Sequence, residues 1–188
     1  MKIKILKNQF YKTTEDLPAK GTQFSSCFDI KAISDPVIKG NPGPYADTWY
    51  SIDYIEYDTG LQIQPVSEYS LDALIGFMRS SITDVLAFPR SSASKYNLVL
   101  ANSVGTIDAD YRASIKCRFK YIFQPEDLGI VNGSIRPIFA VINKDKIYKK
   151  GDKIAQIRQF VVSNTQFELV DALDETVRGT GGFGSTGN

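Results

Sequence analysis

Two-residue alternation of apolar and polar positions recurs along most of this chain, and helical spacing convinces in one place only. Ile3–Leu6, Ser25–Ile30, Tyr50–Tyr57, Leu61–Gln64, Val85–Phe88, Ser114–Tyr121, Ile135–Ile142, Lys153–Val162 and Phe167–Val170 read as strands. The cleanest is Ser114–Tyr121, where Ile115, Cys117, Phe119 and Tyr121 share one face and Lys116, Arg118 and Lys120 the other. Pro65 ends the strand at Gln64, and Pro137 makes Ile135–Ile142 an edge strand. Breakers make loops of 13–22, 34–47 and 125–133. Ser70–Ser80 is the expected helix, with Leu71, Leu74, Ile75 and Met78 at helical spacing and Ser67 or Ser70 as N-cap. Many short strands separated by turns predict an all-β barrel or sandwich.

One stretch organises the rest. Leu98–Arg112 opens as an apolar strand, breaks at Gly105, recovers at Thr106 and Ile107, then presents Asp108, Asp110, Tyr111 and Arg112. Strand, glycine turn and polar cluster predict a β-hairpin with a functional tip. An ordinary Asp-rich surface turn accounts for the same residues when they are read alone.

The 188 residues amount to about one domain. A net charge of +1 argues against a nucleic-acid or membrane footprint, and no apolar run is long enough to span a bilayer. The opening Met-Lys-Ile-Lys-Ile-Leu-Lys lacks the apolar core of a signal peptide, so a cytoplasmic location is expected. There is no histidine, which removes Ser-His and Cys-His nucleophiles and the commonest metal ligand. Cys27 and Cys117 have no metal-site spacing and are expected to be small buried hydrophobes. Acid–base chemistry is left to carboxylates, helped by Tyr, Lys or an oxygen-bound divalent cation.

Four constellations suit such chemistry. Pro89-Arg90-Ser91-Ser92 follows a strand and offers a guanidinium, two hydroxyls and turn amides to an anion, although Ser-rich turns are also common without any ligand. Gln156 sits inside an apolar strand after the Gly151-Asp152 turn, where its amide needs a partner, structural or otherwise. Asp29 and Asp108 are acids on strand-like segments, either surface charge or the groups that handle metal and water. The tail from Arg178 sets an arginine and Phe183 among glycines, which a plain linker does not need. It lacks the Lys-Ser/Thr ending and the following helix of a Walker loop.

In this order, Phe28-Asp29-Ile30, Pro89 to Ser92, Asn102 to Arg112, Gly151 to Gln156 and Arg178 to Gly187 resemble the five motifs of the trimeric dUTPase family. The resemblance implies a jelly-roll-like β-barrel, a homotrimer with active sites at subunit interfaces, and Mg²⁺-dependent hydrolysis of dUTP to dUMP and pyrophosphate. It implies Asp108 as the base that activates water and Asp29 as the holder of magnesium through its water shell. Arg90, Ser91, Ser92 and Gln156 would contact phosphates. Asn102 and Gly105, with Ile107 beside them, would read the uracil, and Tyr111 would pack on the deoxyribose. From another subunit, Arg178 would meet the terminal phosphate, Phe183 and Gly184 would close over the base, and Ser185 and Thr186 would add phosphate contacts.

Residues 1–175 would then be the barrel and 176–188 a glycine-rich arm closing over a neighbouring site. Segments near 34–58, 66–84 and 121–148 look like additions to the family's compact subunit, either decoration or a surface for a protein partner. Ser26-Cys27, Ser92-Ala93-Ser94 and Ala113 depart from the family's usual residues. Two alternatives stay open: a dCTP deaminase-related enzyme, and a nucleotide-sensing regulatory protein on the same fold.

Overall fold

In this computed structural model, residues 2–66, 68–71, 78–81, 83–136, 138–162 and 165–180 are described. Among them the strands, in chain order, are β1 (Lys2–Ile5), β2 (Phe28–Lys31), β3 (Val37–Pro42), β4 (Thr48–Asp58), β5 (Ile63–Val66), β6 (Glu68–Leu71), β7 (Met78–Ser81), β8 (Thr83–Phe88), β9 (Leu98–Leu100), β10 (Gly105–Ile107), β11 (Lys116–Tyr121), β12 (Leu128–Ile130), β13 (Ile138–Val141) and β14 (Lys153–Val161). All the ladders are antiparallel. One sheet runs β10-β8-β14-β2; the other runs β12-β13-β4-β11-β9, with β3 added to β4. Two curled sheets around one core make the all-β fold that the alternation predicts, in the jelly-roll-like form that the resemblance implies.

The core is built from the inward positions of both sheets. On β11, Cys117, Phe119 and Tyr121 are buried while Lys116, Arg118 and Lys120 face outward. Phe119, Tyr57 and Tyr148 meet edge-to-face with centroids 5.6 to 5.9 Å apart. Such aromatic pairs add roughly 1 kcal/mol each beyond the area they bury. Burial pushes the Cys117 thiol up to about 12, so it stays an inert hydrophobe. Cys27 is only half-buried, unlike the expectation.

Several expectations fail for identifiable reasons. The helix expected at 70–80 falls largely on 72–77, outside the described residues; the described residues on either side form β6 and β7, a two-stranded ribbon in which Leu71 pairs with Met78. Leu71, Ala73, Ile75 and Phe77 fit a period of two as well as Leu71, Leu74, Ile75 and Met78 fit a helix, and a short helix needs packing to persist. The expected loop at 34–47 contains β3, where Gly40 and Pro42 sit at bulges on an edge strand. A Cβ on Gly40 would collide with the Ser51 carbonyl, so glycine lets β3 approach β4. Pro65 is accommodated inside β5, in a ribbon paired only with β1. The expected loop at 125–133 contains β12, and β12 makes β13 an interior strand rather than an edge.

Two further corrections bear on the site. The expected hairpin of residues 98–107 is a crossover: β9 pairs with β11 in one sheet, while β10 pairs with β8 in the other. Residues 101–104 turn between the sheets, with Ser103 at φ 57°. Phe167–Val170 forms no strand, and Phe167 and Leu169 are fully exposed. An alternating apolar segment needs a sheet edge, and this one finds none among the described residues.

Candidate active site

The order β10-β8-β14-β2 decides what meets what. Gln156, on the inner strand β14, lies opposite Phe88 of β8 on one side and Asp29 of β2 on the other. Its Nε2 donates to the Pro89 carbonyl at 3.0 Å, so the amide is half-buried and satisfied. Arg90 leaves the end of β8 and returns toward β2, where its Nε donates to Asp29 Oδ1 at 2.8 Å. Its Nη1 donates to Ser92 Oγ at 3.0 Å and to the Lys153 carbonyl at 3.3 Å. Lys153 Nζ completes the set, 2.8 Å from Asp29 Oδ2. Asp29, Arg90, Ser92 and Gln156 thus converge, with exposed Ser91 beside them, and Lys153 joins them without having been singled out from the sequence.

Asp29 is the anionic centre of this group. Burial works to raise its pKa, but the hydrogen bonds and charges of Lys153 and Arg90 outweigh burial and hold the carboxyl below the usual range. A carboxyl lowered on folding stabilises the fold above its unfolded pKa, about 3.9, and that contribution fades as pH falls through the folded value. Asp29→Asn is therefore expected to lower the melting temperature at pH 7 and to narrow its gap to the parent as the pH is taken down toward 2. A melting-temperature series across pH checks this, and a gap that stays constant contradicts it.

The second group lines a cavity of about 380 Å³ between the sheets' ends. Asn102, Gly105, Ile107, Asp108 and Tyr111 all border it, together with Ala87 and Leu100. Gly105 is buried, and a Cβ there would come within 3.1 Å of Asn102 Nδ2, so glycine leaves the amide its position. Asp108 is exposed at the mouth. Tyr111 is fixed by its hydroxyl, which donates to the Ser114 carbonyl at 3.2 Å.

The two groups adjoin at Gly105, which pairs with Ala87, and at Ser103 and Val104, which border a cavity with Pro89 and Gln156; Asp108 and Arg90 themselves stand apart within one chain. Ile107 pairs with Val85, so Asp108 follows at the start of β8, whereas Arg90 lies past its end. Five residue steps separate Val85 from Arg90, about 17 Å at 3.3 Å per residue. Within one chain the Asp108 carboxylate and the Arg90–Lys153 cations therefore stand at opposite ends of β8. Arg178 lies in an exposed turn at 177–180; Phe183, Gly184, Ser185 and Thr186 lie outside the described residues.

Comparison with known proteins supplies the family. The chain is 33% identical over 171 residues to the deoxyuridine 5'-triphosphate nucleotidohydrolase of Desulfitobacterium hafniense, covering 91% of this chain and 87% of that one. The chain belongs to the dUTPase family. The family profile itself matches residues 120–187. The same enzyme of Shewanella halifaxensis is 30% identical over 100% of this chain and 96% of its own. Among solved structures, the Staphylococcus bacteriophage 80alpha dUTPase with dUpNHpp superposes with TM-score 0.60 at 19% identity, covering 100% of this chain and 98% of that one. A mutant dUTPase of phage phi11 of S. aureus, described with a structural Mg(II) ion, gives 0.53 at 15% identity, covering 93% and 100%. At those identities the structural likeness speaks for the fold.

Proposed function

We propose that this chain hydrolyses dUTP to dUMP and pyrophosphate at sites completed between the subunits of a homotrimer. The observation that carries this is the separation just described: within one chain Asp108 and Arg90 stand at opposite ends of β8. The 380 Å³ cavity would take the nucleoside, with Asn102 and the Gly105 backbone toward the uracil and Tyr111 against the deoxyribose. Asp108, at its mouth, would face the α-phosphorus. Arg90, Ser91, Ser92 and Gln156 of another copy, with Lys153, would hold the triphosphate. The arm would bring Arg178, Phe183, Gly184, Ser185 and Thr186 over the assembled site.

In the reaction the Asp108 carboxylate takes a proton from water as its oxygen bonds to the α-phosphorus. The bond from that phosphorus to the bridging oxygen breaks, and pyrophosphate leaves. Orienting water and neutralising phosphate charge are the main demands of such a step, and a chain without histidine can meet them.

Magnesium fits these residues as a companion of the substrate. Among the described residues no three acidic or sulfur ligands gather into a metal cage. Asp29 spends one oxygen on each of two cations and keeps further lone pairs for metal-bound water. Mg²⁺ holds much of its hydration and binds through few carboxylates plus phosphates, so this donor set suits it. When bound, the ion would neutralise charge developing on the phosphates.

The test is pyrophosphate release from dUTP beside dTTP, dCTP and UTP, with and without Mg²⁺. Magnesium-dependent release confined to dUTP is expected. Ammonia release from dCTP would point to a deaminase instead, and tight dUTP binding without turnover to a nucleotide sensor. A partner-binding role at the added segments is a compatible second reading, favoured by the β6–β7 ribbon, which pairs with neither main sheet. No helix of the described residues is long and apolar enough to cross a membrane.

A further inference from the structure

The turn that carries Asp108 is held to the barrel by few bonds. The β10 ladder ends at Ile107, opposite Val85. Beyond it, the Tyr111 amide donates to the Asp108 carbonyl at 3.0 Å, and Arg112 Nη1 donates to the carbonyls of Ala109 at 2.7 Å and Tyr111 at 2.9 Å. These bonds shape the turn but lie within it. At its far end Gln62 Nε2 ties the Arg112 carbonyl to the barrel at 3.1 Å. At the Asp108 end the tie is Asp84: its Oδ1 accepts the Ala109 amide, one residue past Asp108, at 3.1 Å.

Asp84 is an odd occupant of its place. It lies in β8, on the face shared with Leu86 and Phe88, paired across the ladder with Phe160 of β14. Aspartate is among the residues least suited to a strand interior. It is half-buried, and among the described residues it takes part in no ion pair. A carboxylate accepting a backbone amide makes a stronger bond than a neutral oxygen would. Strand packing would prefer an apolar side chain here; the Asp108 turn gains from a carboxylate.

We propose that Asp84 is a positioning residue for the reaction: through the Ala109 amide it fixes where the Asp108 carboxylate stands at the cavity mouth. This rests on the reading of Asp108 as the base. A displacement of the order of 1 Å in a reacting group can cost about 10²-fold in rate.

The test uses Asp84→Val, which removes the acceptor while favouring the strand, and Asp84→Asn, whose side-chain oxygen can still accept. Asp84→Val is expected to keep or raise the melting temperature, to lower kcat for dUTP by roughly 10- to 100-fold, and to leave KM within about 3-fold. Asp84→Asn is expected to recover most of that kcat. In an Asp108→Asn background, Asp84→Val should cost nothing further, because the residue acts through the group already lost. Parent-like kcat in Asp84→Val, a loss appearing in KM, or a further loss in the double variant would each overturn the proposal. Should Asp108→Asn itself turn over normally, the assignment of the base has failed; an inactive Asp108→Asn beside a fully active Asp84→Val means the positioning role alone has failed.

Discussion

Asp108→Asn is expected to fold as the parent does and to lose turnover by roughly 10²-fold or more, the scale of removing a general base. The geometry supports both halves of that expectation. The carboxylate is exposed, and among the described residues its side chain makes no hydrogen bond or ion pair, so the fold does not depend on it. Surface substitutions of this kind usually stay within about 0.5 kcal/mol. Asparagine keeps the shape and removes the ability to take a proton from water. Steady-state pyrophosphate release, beside an unchanged melting temperature, checks the result. Near-normal turnover would remove Asp108 from the role of base.

Mixing two inactive variants is expected to restore activity. Arg90→Ala disables one end of β8 and Asp108→Asn the other; each alone leaves every site of a symmetric assembly with one broken half. If a site joins Asp108 of one copy to Arg90 of a different copy, subunits exchanged by mild unfolding and refolding will form some sites from two intact halves. For a trimer of randomly mixed subunits that fraction is about one quarter, so activity should rise to about a quarter of the parent's. A site contained in one chain would give no recovery, since every chain carries a lesion. The outcome depends on the 17 Å offset along β8 and on nothing assumed about the tail. The exposed Phe167 and Leu169 belong to the same argument: such surface needs a partner.

How far the chain could be read without coordinates varied by element. The alternation on β11, the strand β14 with Gln156 inside it, and the acids and cations of the five motifs were all visible as patterns. The β6–β7 ribbon was not, because the apolar residues around it fit periods of 2 and 3.6 equally well. β3 was hidden behind Gly40 and Pro42, breakers that an edge strand tolerates at bulges. Asp84 left a faint signal, a charge at the start of an apolar strand, and Lys153 left none beyond its place after a turn. Both acquire a role only through a partner distant in the chain: Ala109 for one, Asp29 for the other.

By itself the sequence determined the class of fold and the chemistry available without histidine, and it offered the candidate residues, because periodicity and side-chain type are local properties. Tertiary structure alone decided that residues 98–107 cross between two sheets, that Arg90 and Lys153 grip one carboxylate, and that Asp108 stands at the other end of β8. Those outcomes depend on strand order and register, which are settled by which distant segments bury their apolar faces together.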